Sequence, residues 1–309
     1  MRILLSGASS FTGFWFAREL CRAGHEVTCT YRRRDEQEYT GLRGWRVAEL
    51  SRRTSAVFDC SFGSEGFLQL AASQAWDVYC HHAAEVNDYR SLDFDAVNAL
   101  QNNTNNLRAS LSALKSGGCR GIVLTGSVFE RGEGAGSDGL PDILPYGLSK
   151  ALTSQVFRYE ARLAEMPLAR FVIANPFGLY QEPRFLAYLI QTWRQGQVAT
   201  VATPAYVRDN IHVALLAMDY RHFLEGLASD PLAQRNPSGI VGDQGAFAYL
   251  VARELRARLG WKCELELARQ ASFAEPLIRI NTDPALARHP EWCEVRAWDE
   301  IAQQASDQE

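Results

Sequence analysis

The sequence predicts a doubly wound α/β fold, a parallel sheet flanked by helices with a smaller interleaved C-terminal lobe, and three observations carry that prediction. Short apolar runs alternate with amphipathic stretches through the first two thirds of the chain, the rhythm of consecutive βαβ units. A turn bearing Gly7 and Gly13 follows the first apolar run directly, where a strand of such a fold hands over to a helix. The composition, 47% hydrophobic and 22% charged over 309 residues, is that of a globular protein; at roughly 150 residues per domain it is about two domains' worth of chain.

Taken in order, the apolar runs place strands at Arg2 to Ser6, Glu26 to Tyr31, Ala56 to Asp59, Asp77 to His81, Gly121 to Thr125 and Ala169 to Ala174. Between them the pattern predicts helices over Phe11 to Ala23, ending before Gly24, over Glu65 to Ser73, over Leu92 to Lys115 and over Tyr146 to Glu165, ending before Pro167. The cluster Arg32 to Glu36 and the stretch after it read as a charged, polar loop. After Asn175-Pro176 the rhythm changes. A helix is expected over Arg184 to Gln195, a short strand over Gln197 to Val201 and a helix over Asn210 to Leu227; smaller elements follow at Ser238 to Val241, Ala246 to Leu259 and Cys263 to Leu267.

Charge and cysteine usage narrow the function classes. Lys plus Arg number 32 against 36 Asp plus Glu, a net charge of -4, where a nucleic-acid or anionic-membrane binder is expected to be basic. Seven scattered cysteines without a C-x-x-C pair read as reduced thiols rather than a disulfide framework or zinc site. No apolar run approaches the ~18 residues that span a bilayer, and Ser6-Gly7-Ala8-Ser9-Ser10 arrives too early for a signal-peptide core, so the cytoplasm is the expected compartment. Adjacent His81 and His82 point to opposite faces of a strand and find no third ligand at useful spacing, so no metal is expected.

The heptapeptide Gly7, Ala8, Ser9, Ser10, Phe11, Thr12, Gly13 has the character of a phosphate cradle. Small residues let backbone N–H groups approach a pyrophosphate, and the helix N-terminus adds partial positive charge. At the end of the second strand an NAD site offers a carboxylate to the ribose, whereas an NADP site offers arginine to the 2′-phosphate. Here Tyr31 is followed by Arg32 and Arg33, with no acid before Asp35, which favours NADP(H) over NAD; a solvated basic turn is the plain alternative. Asp59 could accept from the adenine amino group or simply end its strand. Residues 1–175, joined again by about 205–236, are thus expected to form a dinucleotide-binding Rossmann domain, with 176–204 and 237–309 as the substrate-binding lobe.

Tyr146 and Lys150 stand four residues apart on one helix face. A cation so placed is expected to lower the tyrosine pKa and make Tyr146 a usable acid or base near neutrality. Ser127, at the carboxyl edge of the fifth strand, would hydrogen-bond a substrate carbonyl.

At this point the sequence resembles the extended short-chain dehydrogenase/reductase family of NAD-dependent epimerase/dehydratase type, whose members modify nucleotide sugars. The resemblance spans GASSFTG at 7–13, DVYCHHAAE at 77–85, LTGSV at 124–128, YGLSK at 146–150, ANPFGLYQEP at 174–183 and VRDNIHV at 207–213. It implies hydride-transfer chemistry at Ser127, Tyr146 and Lys150, with Lys150 also binding ribose. It places His82, Ala83 and Ala84 beside the cofactor; Cys80 is a further candidate at the cofactor, or an epimerase acid, with an ordinary buried strand cysteine as its plain alternative. The resemblance also puts Asn175 at the substrate, with Arg208 on the diphosphate, and Glu85, just past the fourth strand, is a candidate substrate-site acid or base by its position. Glu85 has a loop salt bridge as its plain alternative. Departures are Ser10 in place of the middle cradle glycine and Asn175 in place of the usual Arg. An Asn of the fourth helix usually meets the cofactor; Asn98, Asn102 and Asn103 are the candidates. Helices after strands four and five imply a homodimer.

Within that family, dehydratases carry an acidic pair after the serine, where this chain has Val128-Phe129, and tight-NAD epimerases carry an acid where it has Arg32-Arg33. The leading expectation is therefore an NADPH-dependent reductase of a 4-keto-6-deoxy nucleotide sugar. An NAD(P)-dependent nucleotide-sugar epimerase is the alternative, and a catalytically idle dinucleotide-binding sensor or scaffold a second. The expected partner is a nucleotide sugar, with neither nucleic acid nor membrane.

Overall fold

Strand and helix alternate from the first residues of the chain, which a computed structural model describes over residues 1–307. In order come β1 (Arg2–Ser6), α1 (Phe11–Arg22), β2 (Glu26–Thr30), α2 (Gly41–Ser51), β3 (Ser55–Val57), α3 (Glu65–Ala72), β4 (Val78–His81), α4 (Ala96–Asn103), α5 (Leu107–Ser116) and β5 (Ile122–Ser127). A two-residue strand β6 (Ala135–Gly136) precedes α6 (Leu144–Leu163) and β7 (Leu168–Ile173). The remainder is β8 (Asn175–Phe177), α7 (Phe185–Arg194), β9 (Ala199–Val201), β10 (Val207–His212), α8 (Val213–Gly226), β11 (Gln234–Arg235), β12 (Pro237–Ser238), β13 (Ile240–Asp243) and α9 (Gln244–Leu259). It ends with β14 (Leu265–Leu267), β15 (Ile278–Ile280), β16 (Asp283–Pro284), α10 (Ala285–Arg288) and α11 (Glu294–Asp307).

The main sheet has seven parallel strands in the order β11-β7-β5-β4-β1-β2-β3, so the chain reverses its direction of travel between β1 and β4. Ligands of open α/β sheets sit at the carboxyl ends of the strands at such a reversal. Apolar clusters cover both faces. Phe16 of α1 stacks on Tyr220 of α8 at 4.0 Å over Phe171 of β7, while Phe67, Leu111 and Phe157 of α3, α5 and α6 fill the other side. Each such side chain contributes about 1.5–3 kcal/mol by leaving water. The second sheet, β13-β10-β15-β6 with β8 also on β10, stands beyond the carboxyl edge of the first and closes one wall of the crevice.

Beyond the short elements β6, β8, β11, β15, β16 and α10, which the sequence reading does not place, four differences from the sequence expectation stand out. The helix expected over Leu92 to Lys115 is two, because Asn106 adopts a left-handed conformation (φ 46°) and its amide donates to the Gly63 carbonyl at 2.8 Å. Asn tolerates that region better than other side chains, and the tether fixes it there. The polar loop after Arg34 holds α2, whose inward face is Arg46, Val47 and Leu50. Asn210 to His212 belong to β10 rather than to a helix, since pairing with β8 and β13 outweighs local pattern; the His212 ring then caps α8 by accepting from the Ala214 N–H at 3.2 Å. The amphipathic α11, packed on α9 through Trp298 and Ile301, was not anticipated.

Candidate active site

A cleft of about 1590 Å³ opens at the carboxyl edge of the main sheet, beyond the roughly 300–1,000 Å³ typical of one small-molecule site. Gly7, Ser9, Ser10, Phe11 and Thr12 line one end. Gly7 has φ +91° and a Cβ there would lie 2.6 Å from the Ala83 nitrogen, while a Cβ on Gly13 would collide with the Gly7 carbonyl oxygen. Only glycine satisfies both. The Ser10 hydroxyl donates to the Gly7 carbonyl at 2.8 Å and accepts the Gly13 N–H at 3.1 Å, so it caps α1 and leaves the N-terminal amides facing the cleft. Just past β4, His82 lies 2.9 Å from Thr12 Oγ1, 3.2 Å from Ser10 Oγ and 3.0 Å from Thr125 Oγ1, tying the loop to β5. Burial, and next the Lys150 charge, push it down to about 3, so it is a neutral ring. Ala83 and Ala84 complete this wall.

Two expectations at this end are corrected. Cys80 is fully buried in the core beneath α1 and α8 and does not line the cleft, because strand alternation turns it to the helix side while His81 faces the other way. Asp59 is exposed, with φ 51° and its N–H given to the Arg33 carbonyl at 2.7 Å, and it does not line the cleft, whose wall there is Cys60, Ser61 and Phe62.

Arg32 and Arg33 lie at the cleft rim beyond β2, with side chains 65% and 55% exposed and nearest carboxylates, Glu85 and Glu38, no closer than 3.9 Å. Arg43 of α2 joins them, a residue hidden from sequence reading because the helix that presents it was read as loop. Glu85 also lines the cleft, its N–H donated to Asn103 Oδ1 at 2.8 Å. Of the three asparagines, Asn102 and Asn103 reach the cleft and Asn98 does not.

Ser127, Tyr146 and Lys150 all line the same cleft. Lys150 is buried and its Nζ donates to the Thr125 carbonyl at 2.7 Å; burial lowers its pKa, Glu130 opposing and Arg170 adding to the fall. Ser127 is held by its neighbours: its N–H goes to Glu130 Oε1 at 2.7 Å and its Oγ accepts the Phe129 N–H at 3.2 Å. Tyr146 sits among Tyr89, Phe94 and Phe129, with ring centroids 5.3, 5.9 and 6.5 Å away. That apolar enclosure first, then Glu130 and Tyr89, push the phenol above its ordinary range, against Arg184. The expected lowering of the Tyr146 pKa by Lys150 is therefore overturned: the ammonium is turned to the Thr125 carbonyl, and desolvation dominates.

On the substrate-lobe side, Asn175 and Arg208 both line the cleft. Arg208 is already engaged, with Glu275 Oε2 at 2.9 Å, the carbonyls of Val207, Pro276 and Leu277 at 3.0–3.1 Å, and the Tyr206 ring 4.5 Å beneath it. Asn175 is level with Asn210 across β8 and β10, and the buried Asn210 amide nitrogen has no partner among the described residues. Arg184, Glu130 and Glu275 were missed by sequence reading; no local motif marks them, since each acts through contacts distant in the chain.

A sequence model described as the NAD dependent epimerase/dehydratase family matches residues 3–225. No curated protein matches the chain. Among solved structures, a UDP-glucuronic acid 4-epimerase from Bacillus cereus in complex with UDP-glucuronic acid and NAD is 16% identical over 99% of each chain, with a TM-score of 0.75. A UDP-glucose-4-epimerase from Stenotrophomonas maltophila with bound NAD and formylated UDP-arabinopyranose is 18% identical over 99% of this chain and 96% of that one, at 0.73. The dTDP-glucose 4,6-dehydratase DesIV from Streptomyces venezuelae, with NAD and TYD bound, is 17% identical over 100% and 98%, at 0.72. At such identities the likeness is one of fold.

Proposed function

From the premise that the chain belongs to the NAD dependent epimerase/dehydratase family, we propose that it is an NADPH-dependent reductase of a 4-keto-6-deoxy nucleotide sugar. The observation that carries this reading is the rim beyond β2, where three guanidinium groups, Arg32, Arg33 and Arg43, replace a carboxylate at the strand end. A ribose 2′-hydroxyl wants an acceptor there and a 2′-phosphate wants cations. The glycines of the cradle fit the dinucleotide as well: Cβ atoms on Gly7 and Gly13 would strike the Ala83 backbone and the Gly7 carbonyl, so the turn closes this tightly only without side chains there, the form in which backbone N–H groups can approach phosphates.

Gly7, Ser9, Ser10, Phe11, Thr12 and Gly13 would hold the pyrophosphate, Arg32 and Arg33 the 2′-phosphate, and His82, Ala83, Ala84, Tyr146 and Lys150 the nicotinamide half. The chemistry such a cofactor supplies is hydride transfer. Ser127 orients the keto oxygen through its hydroxyl. Tyr146, whose pKa is raised, keeps its proton at neutral pH and gives it to that oxygen as negative charge develops. Lys150 offers an ammonium to the ribose and to the phenolate left behind. Tyr89, Phe94 and Phe129 around Tyr146 suit a 6-deoxy methyl better than a 6-hydroxyl, and Val128-Phe129 offers no carboxyl for eliminating water. Asn175, Glu85 and Arg208 complete the substrate side; to grip a diphosphate, Arg208 must share or leave Glu275. The reading includes a cytoplasmic homodimer formed through α4 to α6, where Val97, Tyr159 and Leu163 are exposed, and sedimentation tests it. No described helix is long and apolar enough to cross a membrane.

Arg32→Ala tests the cofactor assignment. Losing one charge-assisted contact, about 1.5–3 kcal/mol, should weaken NADPH roughly 10- to 150-fold and leave NADH unchanged in a binding titration. Equal loss for both cofactors contradicts the reading.

A further inference from the structure

The turn after β5 holds a buried carboxylate for which the scheme above has no use. Glu130 is 2% exposed; one of its oxygens takes the Ser127 N–H at 2.7 Å and the other takes Arg170 Nη2 at 2.6 Å. The carbonyls of the same turn are gripped from β15, where fully buried Arg279 donates to Val128 and Glu130 at 2.7 Å each and to Pro141 at 2.8 Å. Arg170 also pairs with Glu133, whose second oxygen takes the amides of Gln234 and Asn236. Packing around the group is tight, since a Cβ on Gly126 would lie 2.8 Å from Arg170 Nη2 and 3.0 Å from Glu130 Oε1. Lys150, Arg170 and Arg279 are all buried here with Glu130 and Glu133, three positive charges against two negative ones.

Such a cluster is a poor route to stability, because apolar residues of the same volume often serve as well or better. Position explains it instead. Of the two carboxylates, Glu130 alone touches the Ser127 backbone, and its charge acts on both Lys150 and Tyr146. We propose that Glu130 is a positioning residue for Ser127, Tyr146 and Lys150: a fixed negative charge that clamps the Ser127 turn and balances the Lys150 ammonium, an assignment resting on the catalytic reading of those three. Facing Glu130 are Arg170 of β7, Lys150 of α6, Glu133 of its own turn and, more remotely, Arg158 of α6. Tyr146 is faced by Glu130, Tyr89 and Arg184, and Lys150 by Glu130, Arg170 and the neutral rings of His81 and His82. Lys150 is supported against deprotonation by Glu130 alone among them, and the same charge keeps the Tyr146 phenol protonated. Removing it lowers both pKa values, and a proton donor with an ammonium beside it works only below them.

Glu130→Gln keeps the shape and an acceptor for the Ser127 N–H but removes the charge. Glu133→Gln removes a charge from the same Arg170 without touching Ser127. The basic limb of the kcat profile against pH should move down by about one unit in Glu130→Gln and stay in place in Glu133→Gln, with NADPH affinity alike in the two. Glu130→Asp, which retains the charge but withdraws it from the Ser127 N–H, should keep the wild-type limb with kcat about 10-fold lower, and serves alone should the Gln variant not fold. An unmoved limb in Glu130→Gln, an equal shift in Glu133→Gln, or wild-type kcat in Glu130→Asp overturns the proposal. Activity in Tyr146→Phe would instead overturn the catalytic reading beneath it.

Discussion

In the proposed reaction Tyr146 carries the proton chemistry, and its environment differs from the one its spacing to Lys150 implied. Enclosed by Tyr89, Phe94 and Phe129 and facing Glu130, the phenol is a proton reservoir at neutral pH rather than a preformed phenolate. A donor held in the protonated form suits reduction, where the developing alkoxide must be quenched. Tyr146→Phe removes the transferable proton and one oxygen, so turnover should drop by 100-fold or more, within the roughly 10²–10⁴ range of general acid catalysis, while NADPH affinity and the fold persist. Steady-state kinetics beside a cofactor titration check this, and retention of most activity would contradict it. Ser127, Tyr146 and Lys150 were legible because strand end and helix face bring them to one cleft. Glu130 was not, since its partner Arg170 is forty residues on in the chain.

At the scale of elements, the junction of β1 with α1 decides whether an anion fits. Its glycines are steric requirements: Gly13→Ala drives a methyl into the Gly7 carbonyl and should cost about 1–3 kcal/mol, with weaker dinucleotide binding. Gly226→Ala, at the exposed end of α8 with nothing within 4 Å of its Cβ, should be neutral or stabilising by up to about 1 kcal/mol. Thermal unfolding of the two variants tells them apart, and equal midpoints would remove the steric argument. Six of the seven strands of the main sheet were readable because burial writes them as apolar runs, whereas the two-residue edge strand β11 (Gln234–Arg235), polar and partly exposed, was not. What escaped was written in non-local contacts. A buried Arg46, donating to the carbonyls of Ser9 and Tyr180 and paired with Glu182, occupies the inward face of α2 where periodicity looks for an apolar residue. Asn106 bends a continuous helical pattern through a bond to Gly63, and β10 takes its strand from partners far along the chain.

For the whole molecule, the buried histidines set a pH dependence. His81 and His82 are pushed down to about 3 and His212 to about 4, burial being the first cause in each. In the unfolded chain they titrate near ~6.5, so below that value the unfolded state binds more protons than the folded one. The stability their neutral burial confers is complete above about 6.5 and drains away as pH falls toward the folded values. Glu130 and Asp209, raised by burial, act in the opposite sense in the range just above ordinary carboxylate values. The midpoint of thermal unfolding should accordingly fall between pH 7 and 5, and a flat or rising profile would contradict the neutral-ring assignment. In the proposed reaction, cradle, arginine rim and Ser127, Tyr146 and Lys150 together make a reductase that consumes its cofactor. Incubation with NADPH deuterated at nicotinamide C4 and a panel of 4-keto-6-deoxy nucleotide sugars tests it most directly, with NADPH absorbance and product mass followed together. One NADPH lost per product, with deuterium on the former carbonyl carbon, is the result predicted, whereas sugar isomers interconverting with no net loss of cofactor would contradict it.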